Sequence, residues 1–222
     1  DKELIPELQE RFLRDIEGFR LDLLEEDILD IDPSAMDFNK NPRTKNRPYK
    51  VIANIPYYIT NAIIRLFLET KSQPHLMVLL IQKEVAERIL ARDGKESILS
   101  IAVKAYGTAR IEAKVPAGAF NPPPKVDSAI LVISDISKKL FEDIGDTANS
   151  EKGNTAIAEK MFFKAVRAGF AHKRKKLASN LTAVYKKDKI ADVFKKMKLD
   201  ADTRAEDITV KDWKKLVQEL SK

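Results

Sequence analysis

Apolar and polar positions along the chain follow one pattern up to about residue 137 and another beyond it. In "LIPELQERFL" the apolar residues Leu4, Ile5, Leu8, Phe12 and Leu13 recur at helical spacing. "FRLDLLEEDIL" alternates at first and predicts a strand ending near Asp27. "IDPSAMDF" reads as a loop or a short helix, and "NKNPRTKNRP" as a polar, basic loop. "YKVIANI" is a short strand-type run that Tyr57 to Thr60 closes. "NAIIRLFLET" has helical spacing, with Thr60 or Asn61 in the N-cap position. "HLMVLLI" is continuously apolar, as expected of a buried strand in a parallel sheet. "QKEVAERILAR" is the next helix, ended by Asp93-Gly94. "SILSIAVKAYGTARIEAKV" is strand-like, with room for a helical turn at its start, and "DSAILVISDI" is a last strand.

This alternation of strand and helix predicts an α/β domain over residues 1–137 with a largely parallel sheet. "DIGDTANSEKGNT" then reads as a polar linker. "AEKMFFKAVRAGF", "KRKKLASNLTAVY", "KIADVFKKMK" and "VKDWKKLVQEL" read as four helices, a small all-helical domain over 138–222.

Charge sharpens this division. Residues 138–222 hold 21 Lys/Arg and 13 Asp/Glu, a net +8, whereas the first 137 hold 19 and 21. A basic helical tail on a near-neutral body fits a polyanion-binding surface, and equally a lysine-rich solvated one. The 222 residues include no cysteine, which excludes a disulfide framework and cysteine-ligated zinc and suits a cytoplasmic protein. His75 and His172 have no partner at metal-ligand spacing, so no metal is expected. No apolar run approaches the roughly 20 residues of a membrane span. Nothing in the pattern indicates oligomerisation, so a monomer is expected.

Three stretches carry candidate chemistry. "NIPY" follows the strand run "KVIA", where ligands sit in open α/β sheets. The Asn54 side-chain carbonyl is an acceptor for an amino group, and so are the main-chain carbonyls of Ile55 and Pro56. Tyr57 offers a flat face to a base. The competing reading is a proline turn with a core tyrosine. In "AFNPPPKVDSA" the prolines Pro122 to Pro124 stiffen the chain beside Phe120, and Lys125 is placed to meet a phosphate; a buried Phe at a strand entry is the competing reading. "RAGFAHKRKKLASNL" concentrates Arg167, Lys173, Arg174, Lys175 and Lys176, which suit phosphate contacts or a solvated helix start. Asp27, at the end of its expected strand, is either an acceptor for a cofactor's adenine amine or an exposed charge. A Gly-rich GxGxxG turn, the usual nucleotide signature, does not occur.

These motifs together resemble the KsgA-type small-subunit ribosomal RNA adenine dimethyltransferases. "NIPYYIT" is similar to that family's N-[LI]-P-Y-x-[IV]-[ST] motif. "QKEVAERI", "FNPPPKVDSAI", "RAGFAHKRKKLASNL" and "RAEDITVKDWKKL" follow in the family's order, so the resemblance covers nearly the whole chain. It implies a Rossmann-like class I methyltransferase sheet, S-adenosylmethionine as cofactor, and dimethylation of N6 on two adjacent adenosines near the 3′ end of small-subunit rRNA. It assigns the target amine to Asn54 and a carbonyl of Ile55 or Pro56, base stacking to Tyr57 with Phe120 as the second face, and cofactor contacts to Asp27, Ile28 and Asn54. The family's Gly-rich cofactor loop falls, by pattern, before "DKELIP", so the expectation is a chain lacking that N-terminal part. Two other readings stand beside it: a non-catalytic RNA-binding assembly factor, and an Erm-like large-subunit rRNA methyltransferase.

Overall fold

The computed structural model describes residues 2–35, 48–145 and 155–222. Four strands form one open sheet in the order β1-β2-β4-β3: β1 (Lys50–Asn54), β2 (Leu76–Gln82), β3 (Thr108–Val115) and β4 (Ser128–Ser134). β1 and β2 are parallel, joined through helix α3 (Thr60–Glu69). α4 (Lys83–Leu90) and α5 (Ile98–Tyr106) cross from β2 to β3, and β4 lies antiparallel between them. The expected largely parallel sheet is therefore corrected: only β1 and β2 pair in parallel among the described residues. A strand covered on both faces is continuously apolar whichever way its neighbours run, so the pattern does not carry direction.

The expected strand ending near Asp27 does not form. The Arg20 and Leu21 N–H groups bond back to the Asp15 carbonyl, and the Asp30 N–H closes a turn on Asp27. With those groups engaged locally and no neighbouring ladder, the alternation has nothing to pair with. The opening helix is present but broken at Phe12 into α1 (Ile5–Arg11) and α2 (Leu13–Glu17), neither of which contains a buried residue. Asp32 to Ala35 form a turn, and residues 39–47 of the expected basic loop lie outside the described residues.

Three further expectations change. Neither Thr60 nor Asn61 is the N-cap of α3; Ile59 is, and Thr60 instead donates its hydroxyl to the Tyr57 carbonyl at 3.1 Å. α4 stops before Asp93-Gly94, at Ala91, whose left-handed φ of 52° ends it. "SILSIAVKAY" is a full helix, because Ser97 and Ser100 cap its first turn reciprocally, Ser97 Oγ accepting from the Ser100 N–H at 3.1 Å.

The tail contains α6 (Lys139–Gly145), partly inside the expected linker, then α7 (Thr155–Gly169), α8 (Leu177–Leu181), α9 (Lys187–Met197) and α10 (Val210–Ser221). α8 is far shorter than the "KRKKLASNLTAVY" pattern, because the Leu177 N–H bonds to the Thr203 carbonyl at 2.8 Å rather than to a preceding helical turn. The tail shares a core with the sheet's helices. Tyr106 of α5 meets Phe141 of α6 at 5.1 Å and Phe163 of α7 at 5.8 Å between ring centroids. Lys95, with the Arg204 backbone N–H, holds Asp207 below the usual carboxylate range and ties the α4–α5 turn to the tail. Gly169 is required where it stands: a Cβ there would lie 2.4 Å from Cη2 of the buried Trp213.

Candidate active site

β1 ends at Asn54, in register with Leu80 of β2, and the Ile55 N–H bonds to the Leu80 carbonyl at 3.4 Å. Ile55 is buried and fixes the chain as it leaves the sheet. Pro56 starts a 3-10 turn, Tyr57–Ile59, that leads directly into α3. The result is that Asn54 and Pro56 are exposed, Tyr57 is half-buried, and Tyr58 projects outward, 88% exposed. The Pro56 carbonyl accepts the Ile59 N–H at 3.2 Å, which leaves it one further lone pair.

The second wall comes from the β3–β4 connection. A short 3-10 turn, Ala117–Ala119, presents half-buried Phe120 before the proline segment, whose Asn121–Pro122 peptide is cis. Asn54, Ile55, Pro56, Tyr57, Phe120, Pro122 and Pro124 together line one open cleft of about 320 Å³. That is the lower end of the roughly 300–1,000 Å³ range of small-molecule sites. Two aromatic side chains, an amide and a set of carbonyls thus face a space suited to one planar, amino-bearing ring.

Two anchoring residues that motif reading passed over hold this cleft. The Tyr57 hydroxyl hydrogen-bonds the Ser128 hydroxyl at 2.7 Å, and Ser128 is fully buried. The carboxylate of Asp127 accepts the Ala117 N–H at 3.1 Å, while its carbonyl accepts the Lys83 N–H at 3.0 Å. The signal was a polar pair, Asp-Ser, at the entry of an otherwise apolar strand.

Apart from Lys125, the other expected residues lie away from the cleft. Asp27 is exposed, and its Oδ1 accepts the Leu29 N–H at 2.9 Å; Ile28 packs against the core. A carboxylate with its second oxygen unengaged by that turn, beside an apolar contact, suits an adenine amine and ring edge. Lys125 is exposed, next to Pro124 at the cleft rim. Arg167 lines a groove with Asn61, Arg65 and Glu69 of α3. Lys173, Arg174, Lys175 and Lys176 are exposed on the turn between α7 and α8, with Lys176 paired to Asp202. Asn180, buried, pins that turn by donating to the Gly169 carbonyl at 2.6 Å and the His172 carbonyl at 3.1 Å. Among the described residues no group of His, Cys, Asp and Glu is arranged to hold a metal, and no helix is long and apolar enough to cross a membrane.

The fold is that of Rossmann-like rRNA methyltransferases. A dimethyladenosine transferase from Plasmodium falciparum superposes with a TM-score of 0.71 at 24% identity, covering 97% of this chain and 78% of its own. The 23S rRNA methyltransferase ErmE superposes with a TM-score of 0.68 at 19% identity, over 100% and 80%. The family described as ribosomal RNA adenine dimethylase matches residues 1–222. A protein called ribosomal RNA small subunit methyltransferase A in Dehalococcoides mccartyi is 37% identical over 223 residues, covering 100% of this chain and 69% of its own length. Its namesake in Fusobacterium nucleatum is 37% identical over 198 residues, or 88% and 67%. The chain belongs to the ribosomal RNA adenine dimethylase family, and its enzyme class is rRNA adenine dimethyltransferase.

Proposed function

We propose that this protein dimethylates N6 of two adjacent adenosines near the 3′ end of small-subunit rRNA, as a cytoplasmic step of ribosome biogenesis. One observation carries this reading: the contiguous Asn54, Pro56 and Tyr57 and the distant Phe120 line one cleft beyond the carboxyl end of β1. The small-subunit names of relatives at 37% identity favour that substrate over the large-subunit rRNA of ErmE, which shares 19%.

S-adenosylmethionine, when bound, supplies an electrophilic methyl group on a sulfonium. The chain's own residues then have to hold and orient the amine. An adenine N6 lone pair is delocalised into the ring and is a weak nucleophile. Hydrogen bonds from its N–H groups to the Asn54 amide oxygen and to a carbonyl of Ile55 or Pro56 concentrate that pair on nitrogen and aim it. Tyr57 and Phe120 stack on the extruded base and offset the few kcal/mol of unstacking. No strong base is required, because a methylated ammonium loses its proton readily to water. Asp27, Ile28 and Asn54 would meet the cofactor's adenosine and methionine ends, as the family resemblance implies. Lys125, Arg167, Lys173, Arg174, Lys175 and Lys176 supply phosphate contacts, with 138–222 acting as the rRNA-binding domain behind the catalytic one at 1–137 and the protein working as a monomer.

The test is methylation of purified ribosomal subunits with labelled S-adenosylmethionine. Small subunits are expected to be labelled at adenosine N6 and large subunits left unlabelled. Labelling of large subunits alone supports the Erm-like reading. Labelling of neither, with rRNA bound, supports a non-catalytic assembly factor.

A further inference from the structure

Ser128 and Asp127 are consecutive, yet they serve opposite walls of the cleft. Ser128 begins β4, the strand between β2 and β3, and is in register with Gln82 on one side and Val115 on the other. It is fully buried, so its hydroxyl has fixed coordinates, and that hydroxyl bonds the Tyr57 hydroxyl at 2.7 Å. A tyrosine ring tethered at its far end is held in tilt as well as in place. Asp127 bonds the Ala117 N–H at 3.1 Å. Ala117 opens the 3-10 turn that ends on Phe120, and the Phe120 N–H bonds back to the Ala117 carbonyl at 3.2 Å. The Asp127 backbone is itself held by the first residue of α4, Lys83, at 3.0 Å.

We propose that Asp127 and Ser128 are a positioning pair that sets the spacing between Tyr57 and Phe120, so that one rigid dipeptide gauges both stacking faces. The proposal rests on the reading of Tyr57 and Phe120 as the base clamp. A pair that gauges the gap acts on how the extruded base is aligned, more than on how the rRNA is first captured. Ser128→Ala and Tyr57→Phe break the same hydrogen bond from its two ends. Each is expected to lower kcat about fivefold, with KM for the rRNA substrate within about twofold. The double variant is expected to be no slower than either single one, because the second change removes nothing further. Tyr57→Phe keeps the buried serine in place, so the test survives if Ser128→Ala folds poorly. Asp127→Asn keeps an acceptor for the Ala117 N–H and is expected to retain most turnover, whereas Asp127→Ala loses it several-fold. With 2-aminopurine in place of the target adenine, bound-state fluorescence is expected to rise in Ser128→Ala as stacking on Tyr57 loosens.

Wild-type kcat in both Ser128→Ala and Tyr57→Phe, multiplicative losses in the double variant, or equal losses in Asp127→Asn and Asp127→Ala would overturn the proposal. Failure of the clamp reading itself is distinguishable: Tyr57→Ala and Phe120→Ala would then both methylate at the wild-type rate.

Discussion

The cleft at Asn54 and the segment from Lys2 to Ala35 both carry residues proposed to bind, and they are built in opposite ways. Around the cleft the chain is tied to the core through buried Ile55 and Ser128. β2 buries Met77, Leu79 and Ile81 completely, β4 buries Ala129, Leu131 and Ile133, and the cleft hangs from the ends of those strands. In the N-terminal segment the helices α1 and α2 bury nothing, and Leu4 and Leu13 are about half exposed. Its attachments among the described residues include Ile28 against the core, buried Pro33, and the Ser34 hydroxyl to the Thr70 hydroxyl at 2.6 Å. The difference separates geometry from contact. In the proposed roles, the group that aims an amine sits at the end of β1, which pairs with the buried β2, while the groups that meet a ligand's polar edge are carried on a segment with fewer buried residues.

Truncation in the two regions gives the largest contrast. Leu79→Ala, which empties a fully buried site in β2, is expected to cost about 2–5 kcal/mol in urea unfolding. Leu8→Ala, on a helix without a buried residue, is expected to cost under about 1 kcal/mol. Equal losses would show that α1 is as well packed as the sheet. Catalysis supplies the next contrast. Asn54→Ala is expected to lower kcat by about 100-fold, or roughly 2.7 kcal/mol, with rRNA affinity little changed. Asp27→Ala is expected to raise KM for S-adenosylmethionine several-fold and to leave kcat within about threefold. A reversal of that pattern would exchange the roles of the two regions.

The basic turn at Lys173 to Lys176 shows which of the two designs the proposed rRNA-contacting surface follows. It projects into solvent like the N-terminal segment, yet Asn180 and Leu177 fasten it to the core. Asn180→Ala leaves the Gly169 and His172 carbonyls without that donor and is expected to cost about 1–3 kcal/mol of stability. It is also expected to weaken rRNA binding and to flatten its dependence on salt, measured as the slope of affinity against ionic strength. Lys173→Ala is expected to change binding alone. If Asn180→Ala leaves the salt slope untouched, the turn is presented by its lysines and not by its anchor.

How much of this was legible in the sequence follows the same division. "HLMVLLI" and "DSAILVI" are apolar because they are buried, so their strands were readable, but the antiparallel insertion of β4 leaves no mark on composition. "FRLDLLEEDIL" alternates like a strand and is not one, because alternation needs a neighbouring ladder to satisfy its N–H groups, and these bond to Asp15 and Asp27 instead. "SILSIAVKAY" shows the reverse: it reads as strand-like with room for only a helical turn, and the reciprocal Ser97–Ser100 cap with small Ala102 and Ala105 on the packed side made a helix. In the site, Asn54, Pro56 and Tyr57 were legible as polar and aromatic residues at a strand end and Phe120 as an aromatic beside a stiff proline run, and the structure brings all four to one cleft. Asp127 and Ser128 were not, because their importance lies in hydrogen bonds to residues ten and 71 positions away.

The smallest expected effect concerns how the core that carries the cleft is joined to the tail. Tyr106 of α5 is buried, and its hydroxyl donates to Glu159 of α7 at 2.5 Å, with Lys138 on the other Glu159 oxygen at 2.9 Å. Burial, reinforced by that hydrogen bond and the Glu159 charge, pushes the phenol well above its ordinary value. A group raised in the folded state contributes stability that is fully present below its unfolded pKa of about 10. Above that pH the unfolded chain releases the proton while the folded one keeps it, so stability falls as pH rises. Thermal melts of the wild type, followed by emission of the single, buried Trp213, are therefore expected to drop more steeply above about pH 10 than those of Tyr106→Phe. Below that pH the variant is expected to be less stable by about 1 kcal/mol, for the lost hydrogen bond. The N-terminal segment has no tyrosine before Tyr49, so its protease sensitivity is expected to be the same in both proteins. If Tyr106→Phe changed it as much as it changes the melt, the segment would be coupled to the core that α5 and α7 share, and the contrast between the two regions would fail.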